Sequence, residues 1–289
     1  MNPRFGHRSV TRLGLLVADL GPATAGRSTL SDVSSLAVAA EQAGFDSFWV
    51  EDDQGGGVAP ADSAEAGFEA YSLLGALATR THTVRLGAFP LGGDPRAPAA
   101  LAKIVTSIDV ISGGRGVVTL APGPLDEPAA LDRLAEGLQV CRAVLDDQHP
   151  GFAGTHFAID GAVNQPPPVQ PGGVPLVVRL DTAERSWVKA LHVAMPFTDA
   201  VVVDGDLDAV SLAADAVSGQ ESGIEVIWTG AVPASEREAV ATITAVAAAG
   251  ATGCIIAVPG AQMAPEMTEL GPALLEAMEL ARAPGSHSR

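Results

Sequence analysis

Short, dense apolar runs alternate along this chain with longer stretches in which apolar residues recur every three or four positions. The first kind is the signature of buried parallel strands, the second of helices with one apolar face. Strands are predicted at Arg12–Ala18, Ser47–Val50, Val84–Leu91, Gly116–Ala121, Pro175–Leu180, Ala200–Val203, Glu225–Thr229 and Gly253–Val258. Helices are predicted at Ser31–Ala43, Glu69–Thr79, Ala99–Ile111, Glu127–Leu145, Thr182–Ala194, Leu207–Ser218, Ser235–Ala249 and Pro265–Arg282, the first capped by Ser28 or Ser31. Strict alternation of strand and helix predicts an α/β fold, a (β/α)8 TIM barrel. An open doubly wound sheet is the competing architecture. It lacks its phosphate fingerprint, because Leu20-Gly21-Pro22-Ala23 after the first strand is not G-x-G-x-x-G.

The segment Gly151–Pro175 breaks the rhythm with four prolines (Pro166, Pro167, Pro168 and Pro171) and reads as an irregular crossover before strand 5, with a short excursion over the rim at His156–Ile159. The expected organisation is an N-terminal arm over 1–10, one barrel domain over 11–282 and a disordered tail over 283–289.

Composition narrows the function classes. The chain has 289 residues, enough for one barrel, and is 47% hydrophobic with 4% aromatic residues, so its core is built from Ala, Val and Leu. With 17 basic against 34 acidic residues the net charge is −17, which argues against a nucleic-acid partner. The apolar stretch Leu13–Leu20 is too short to span a membrane and contains Asp19. Cys141 and Cys254 stand far apart with no metal-ligand spacing and read as reduced core thiols of a cytoplasmic protein, with no metal expected.

Several motifs occur in a fixed order. They are Ala39-Ala40-Glu41-Gln42-Ala43-Gly44-Phe45-Asp46 running into a strand, Arg85-Leu86-Gly87, Arg96-Ala97-Pro98, Leu101-Ala102-Lys103, and Asp109-Val110-Ile111-Ser112-Gly113-Gly114-Arg115. Phe152-Ala153-Gly154-Thr155-His156-Phe157 and Pro168-Val169-Gln170-Pro171 follow. In this order and spacing the chain resembles the bacterial-luciferase-like superfamily of flavin- and F420-dependent oxidoreductases over roughly residues 10–205. The resemblance implies a TIM barrel with F420 or FMN at its mouth, F420 preferred, and a small organic substrate.

The resemblance also implies site residues. F420-dependent relatives carry an Asp-His pair at the end of strand 2; here it is Asp52-Asp53, the candidate catalytic pair, with Asp53 in the histidine's place. Ala88 and Phe89 stand where relatives bulge behind the ring around a cis peptide, and the Phe89-Pro90 bond is a second place for one. Gly123 survives from a glycine-rich end of strand 4, where Ala121 and Pro122 replace glycines. Arg179 and Thr182 stand beside the phosphate loop of strand 5, where this chain has Asp181. From the residues alone, Asp181 or Thr182 reads more simply as the N-cap of the following helix, with Glu184 in its first turn.

Two further functions stay open on the sequence. A cofactor-free partner subunit accounts for Asp53, Pro122 and Asp181 together. A repurposed barrel would use Glu51, Asp52 or Asp53 as acid or base without flavin. Relatives associate through helices near strands 2 and 3, which implies a homodimer, or a heterodimer with a related barrel, through Glu69–Thr79 and Ala99–Ile111.

Overall fold

A computed structural model describes residues 10–18, 29–52, 68–93, 96–127, 129–147, 149–218, 223–261 and 264–282. Asp53, the first nine residues of the expected arm, Ser28 and the tail from 283 lie outside the described residues.

The elements follow the predicted alternation. The first half comprises β1 (Leu13–Val17), α1 (Leu30–Gln42), β2 (Ser47–Asp52), α2 (Ala70–Ala78), β3 (Arg85–Pro90), α3 (Pro98–Ser112), β4 (Gly116–Leu120) and α4 (Ala130–Asp146). A two-stranded hairpin, β5 (Phe152–Ala153) and β6 (Ala158–Ile159), interrupts the rhythm. The second half is β7 (Leu176–Asp181), α5 (Trp187–Ala194), β8 (Ala200–Asp204), α6 (Leu207–Ser218), β9 (Glu225–Ala231), α7 (Glu236–Ala248), β10 (Gly253–Val258) and α8 (Ala264–Arg282). Eight of the strands close a parallel barrel in the order β1-β10-β9-β8-β7-β4-β3-β2, the TIM-barrel topology.

Period-two alternation divides each strand between two cores. Leu13, Leu15, Phe48, Val50, Leu86, Val118, Leu120, Val178 and Leu180 face the helices in the outer core. Leu16, Trp49, Phe89, Val117, Val177, Val202, Ile227 and Ile255 fill the lumen. Trp49 is the largest lumen side chain, fully buried, with its indole N–H donating to Ser47 Oγ at 2.8 Å. The glycine of Arg85-Leu86-Gly87 makes room for it, since a Cβ at Gly87 would run into the Trp49 ring.

The other motifs turn out to be anchors. One oxygen of Glu41 accepts the backbone N–H groups of His82, Thr83 and Val84 at 2.8, 2.5 and 3.1 Å, fixing the entry to β3. Gly113 and Gly114, at φ +74° and +96°, end α3 in the left-handed region that β-carbon-bearing residues avoid. That turn aims buried Arg115 at α2, where it donates to the carbonyls of Ala78, Thr81, Val84 and Ser112 and to Thr81 Oγ1, at 2.6 to 3.0 Å. Asp109 accepts from the N–H groups of Val169 and Gln170 at 2.8 and 3.1 Å, from Gln170 Nε2 at 3.0 Å and from Gly116 N at 3.3 Å. It thereby pins the returning Pro-Val-Gln-Pro segment beneath β4.

The crossover climbs α4, turns as the β5–β6 hairpin and returns. Glu136 of α4 holds the turn by accepting the N–H groups of Thr155, His156 and Phe157 at 2.7, 2.8 and 3.0 Å. This delivers Phe157 to the C-terminal end of the barrel, the rim position expected for the excursion.

Three local expectations are corrected. The N-cap of α1 is Thr29, in a capping box with Asp32, rather than Ser28 or Ser31. Helix α5 begins at Trp187 instead of Thr182. The Asp181 carboxylate accepts Ala183 N at 2.9 Å, a local bond that competes with a helical first turn, and the Thr182 hydroxyl donates to the Asp204 carbonyl on β8. Neither residue is therefore the cap of α5. The cis peptide implied near Ala88–Phe89 is absent, as is one at Phe89–Pro90. Residues Arg85 to Pro90 pair one-to-one with Ser47 to Asp52, leaving no bulge, and the cis bond among the described residues is Gln165–Pro166.

Candidate active site at the barrel mouth

The C-terminal strand ends open into a cleft of about 560 Å³, within the ~300–1,000 Å³ of typical ligand pockets. Its walls include Leu91, Leu101, Leu120, Leu134, Phe157 and Trp187, contributed by the ends of β3 and β4, by α3, α4 and α5, and by the crossover hairpin. Apolar and aromatic walls of this kind favour a flat organic ring. Gly93 and Gly123 bring the loops after β3 and β4 into backbone contact at its edge: a Cβ on Gly93 would stand 2.8 Å from the Gly123 Cα.

Three arginines line the cleft, and each has a carboxylate partner. Arg96 meets Asp52 at 2.8 Å and Glu69 at 3.0 Å and lies over the Tyr71 ring, 4.7 Å from its centroid. Arg133 pairs with Glu127 near the surface, and both are substantially exposed. Arg179 pairs with Asp204, donates to the Pro90 carbonyl at 3.2 Å and covers the Phe89 ring at 5.0 Å. Asp181 lies at the same level on the neighbouring strand as Asp204, and both face the lumen. Burial pushes the Asp204 carboxyl up to about 6. The Arg179 guanidinium pulls the other way, and the negative charges of Asp181 and Glu51 add to the rise.

The expected site residues fall into separate places. Phe89 and Arg179 meet in the lumen, and Thr182 joins them through Asp204. Gly123 lines the same cleft as Arg179. Ala88 has the opposite parity and is buried between sheet and helices. Asp52 likewise faces outward; it is 4% exposed, and Arg96 ties it to Glu69 at the start of α2. The sequence reading missed Asp204, Trp187 and Arg133. Asp204 had a usable signal, since it is the last residue of a strand and shares the inward parity of Val202, as Arg179 and Asp181 share that of Val177.

The profile of the luciferase-like monooxygenase family matches residues 11–179, more than half of the chain. The chain belongs to the luciferase-like monooxygenase family. One subunit of the pristinamycin IIA synthase of Streptomyces pristinaespiralis is 32% identical over 208 residues, covering 70% of this chain and 67% of that protein. The 5,10-methylenetetrahydromethanopterin reductase of Archaeoglobus fulgidus is 25% identical over 173 residues, or 57% of this chain; the match spans only 46% of the reductase, about half its length. Among solved structures, an F420-dependent secondary alcohol dehydrogenase in complex with an F420-acetone adduct superimposes with a TM-score of 0.69. That match has 17% identity, covers 91% of this chain and 99% of that one, and shows the shared fold. No helix among the described residues is long and apolar enough to cross a membrane.

Proposed function

We propose that this chain is an oxidoreductase that holds a flavin-type cofactor, F420 or FMN, in the cleft at the barrel mouth and presents a small organic substrate to it. The observation that carries the reading is the cleft itself: a space of about 560 Å³ at the C-terminal end of a barrel of this family, with apolar and aromatic walls interspersed with Arg96, Arg133, Arg179 and Asp181. F420 and FMN appear by name among similar solved structures, and neither is preferred by the geometry.

The ring and the phosphate fit differently. Leu120, Phe157 and Trp187 suit the faces of a flat heterocycle. The end of β7 is a poor phosphate cradle, because the Thr182 hydroxyl and the Arg179 charge are both committed to Asp204 and Asp181 adds a negative charge. Arg133, whose partner Glu127 is exposed, is the cation a phosphate displaces most cheaply. A bound flavin or deazaflavin ring supplies the redox chemistry. The chain's part is to bind and orient that ring and to exclude water around it. The Asp52–Arg96–Glu69 knot, buried at Asp52 and exposed at Glu69, anchors Arg96 on the β3 side of the cleft.

A second reading, a cofactor-free partner in a larger assembly, draws on the carboxylates around Arg179 and on the relative that is itself one component of a synthase. Titration of purified protein with F420 and separately with FMN, followed by ligand fluorescence, separates the two. Saturable binding at micromolar or tighter affinity is expected. No binding of either at about 100 µM, roughly −5.5 kcal/mol, overturns the cofactor reading and turns the search to a co-purifying partner.

A further inference from the structure

Among the described residues that line the cleft, Phe157 alone comes from the crossover; the rest belong to the barrel strands and helices or to the loops at the mouth. Its position is well defined. A Cβ on Gly137 of α4 would stand 3.9 Å from Phe157 Cε2, 3.4 Å from Leu120 Cδ2 and 3.5 Å from Pro98 Cγ. Phe157, Leu120 and Pro98 therefore converge on the bare face of α4 at Gly137, and all four residues line the cleft.

The hairpin that carries Phe157 does little to hold itself in place. Strands β5 and β6 have two residues each and form two cross-strand pairs, and a two-stranded ribbon is marginal on its own. Phe152 and Ile159 rest its strands on the outer core. The turn is held by Glu136, one residue before Gly137. Its Oε1 accepts from Thr155 N, and its Oε2 accepts from His156 N and Phe157 N. Three consecutive N–H groups converging on one carboxylate make an anion nest, and hydrogen bonds to an ionised acceptor are about twice as strong as neutral ones. Gly154 lets the turn close this tightly, since a Cβ there would run into the carboxylate. The Glu136 side chain is not part of the cleft lining, so whatever it does to a ligand passes through the hairpin.

We propose that Glu136 is a positioning residue for the ring bound in the mouth: it fixes Phe157 as a wall of the cleft and acts on binding only through Phe157. This rests on the cofactor reading. No bond is made or broken. With the carboxylate gone, the strands stay seated through Phe152 and Ile159 while the turn is released, and Phe157 no longer meets the ring in a fixed place.

The test is a double-mutant cycle on the affinity for FMN or F420, whichever the parent binds. Phe157→Ala should weaken binding about five- to ten-fold, the worth of one aromatic contact with a bound ring. Glu136→Ala should weaken it by a similar factor or somewhat less. Glu136→Gln keeps one acceptor oxygen and should fall between Glu136→Ala and the parent; it also serves if Glu136→Ala does not fold. In the Phe157→Ala background either Glu136 substitution should change the affinity less than two-fold, because the wall it positions is already gone. A general structural role for Glu136 predicts instead the same loss in both backgrounds, and that result overturns the inference. Binding that is indifferent to Glu136 or to Phe157 also overturns it and leaves the cofactor reading standing. Absence of binding to the parent chain overturns both.

Discussion

Replacing Arg115 by Met should lower stability by about 3–5 kcal/mol, the largest effect expected of any single substitution outside the lumen. The side chain is 8% exposed and joins the ends of α2 and α3 to the start of β3 through five hydrogen bonds, four of them to backbone carbonyls. Methionine fills much of the volume and supplies no donor, so those carbonyls stay buried without partners. Thermal unfolding followed by circular dichroism should show the midpoint falling by roughly 6–15 °C for a domain of this size. Exposed Arg80→Met serves as the control and should shift it by about 2 °C or less. A loss under about 1 kcal/mol for Arg115→Met would mean that water replaces the guanidinium and that the motif's arginine is not a structural anchor.

Arg179→Met should be the most damaging change at the mouth, and its cost should depend on pH. With the guanidinium gone, Asp204 is left beside Asp181 and Glu51 in a largely buried setting, and its already raised carboxyl rises further. A folded carboxyl above its unfolded value of 3.8 keeps its proton in the native state. Stability from this group is then greatest at low pH and is lost as pH rises through the folded value, about 6 in the parent chain and higher in the variant. At pH 8 the expected loss for Arg179→Met is about 2–4 kcal/mol, near the low end for a broken buried pair because Asp204 retains some exposure. At pH 5 Asp204 takes up a proton and the loss should shrink to about half or less. The double variant Arg179→Met/Asp204→Asn should recover most of the difference at pH 8. Urea titrations of the three chains at both pH values check this, and a penalty that is the same at pH 5 and pH 8 would show that packing on Phe89, rather than charge, is what Arg179 contributes.

These two arginines mark what the sequence could and could not reveal. Arg115 sits in a motif whose order identified the family, yet its partners on α2 and at the start of β3 lie 31 to 37 residues away and only the closed barrel brings them together. The strands were legible because dense apolar runs such as Ala200–Val203 and Val84–Leu91 admit no other environment. Helix α5 starts later than its apolar pattern predicts because Asp181 bonds locally to Ala183 N while Thr182 bonds to Asp204 on the neighbouring strand, a partner the local sequence does not reveal. Asp52 is one of three consecutive carboxylates, the candidate acid/base run of the sequence. Strand parity turns it outward, to Arg96, and leaves Glu51 on the inward side. Asp204 closes an apolar strand with inward parity, a signal the sequence does carry, but its pairing with Arg179 on the neighbouring strand is set only by the closed barrel.

The measurement closest to the central claim is hydrogen exchange of the protein with and without saturating F420 or FMN. The account predicts slowed exchange at the C-terminal strand ends, in Leu91–Gly93, Ala121–Leu125 and Arg179–Thr182, with the anchored turn at Ser112–Gly114 on the opposite face unchanged. Protection confined to that opposite face, or no protection under either cofactor, would contradict it.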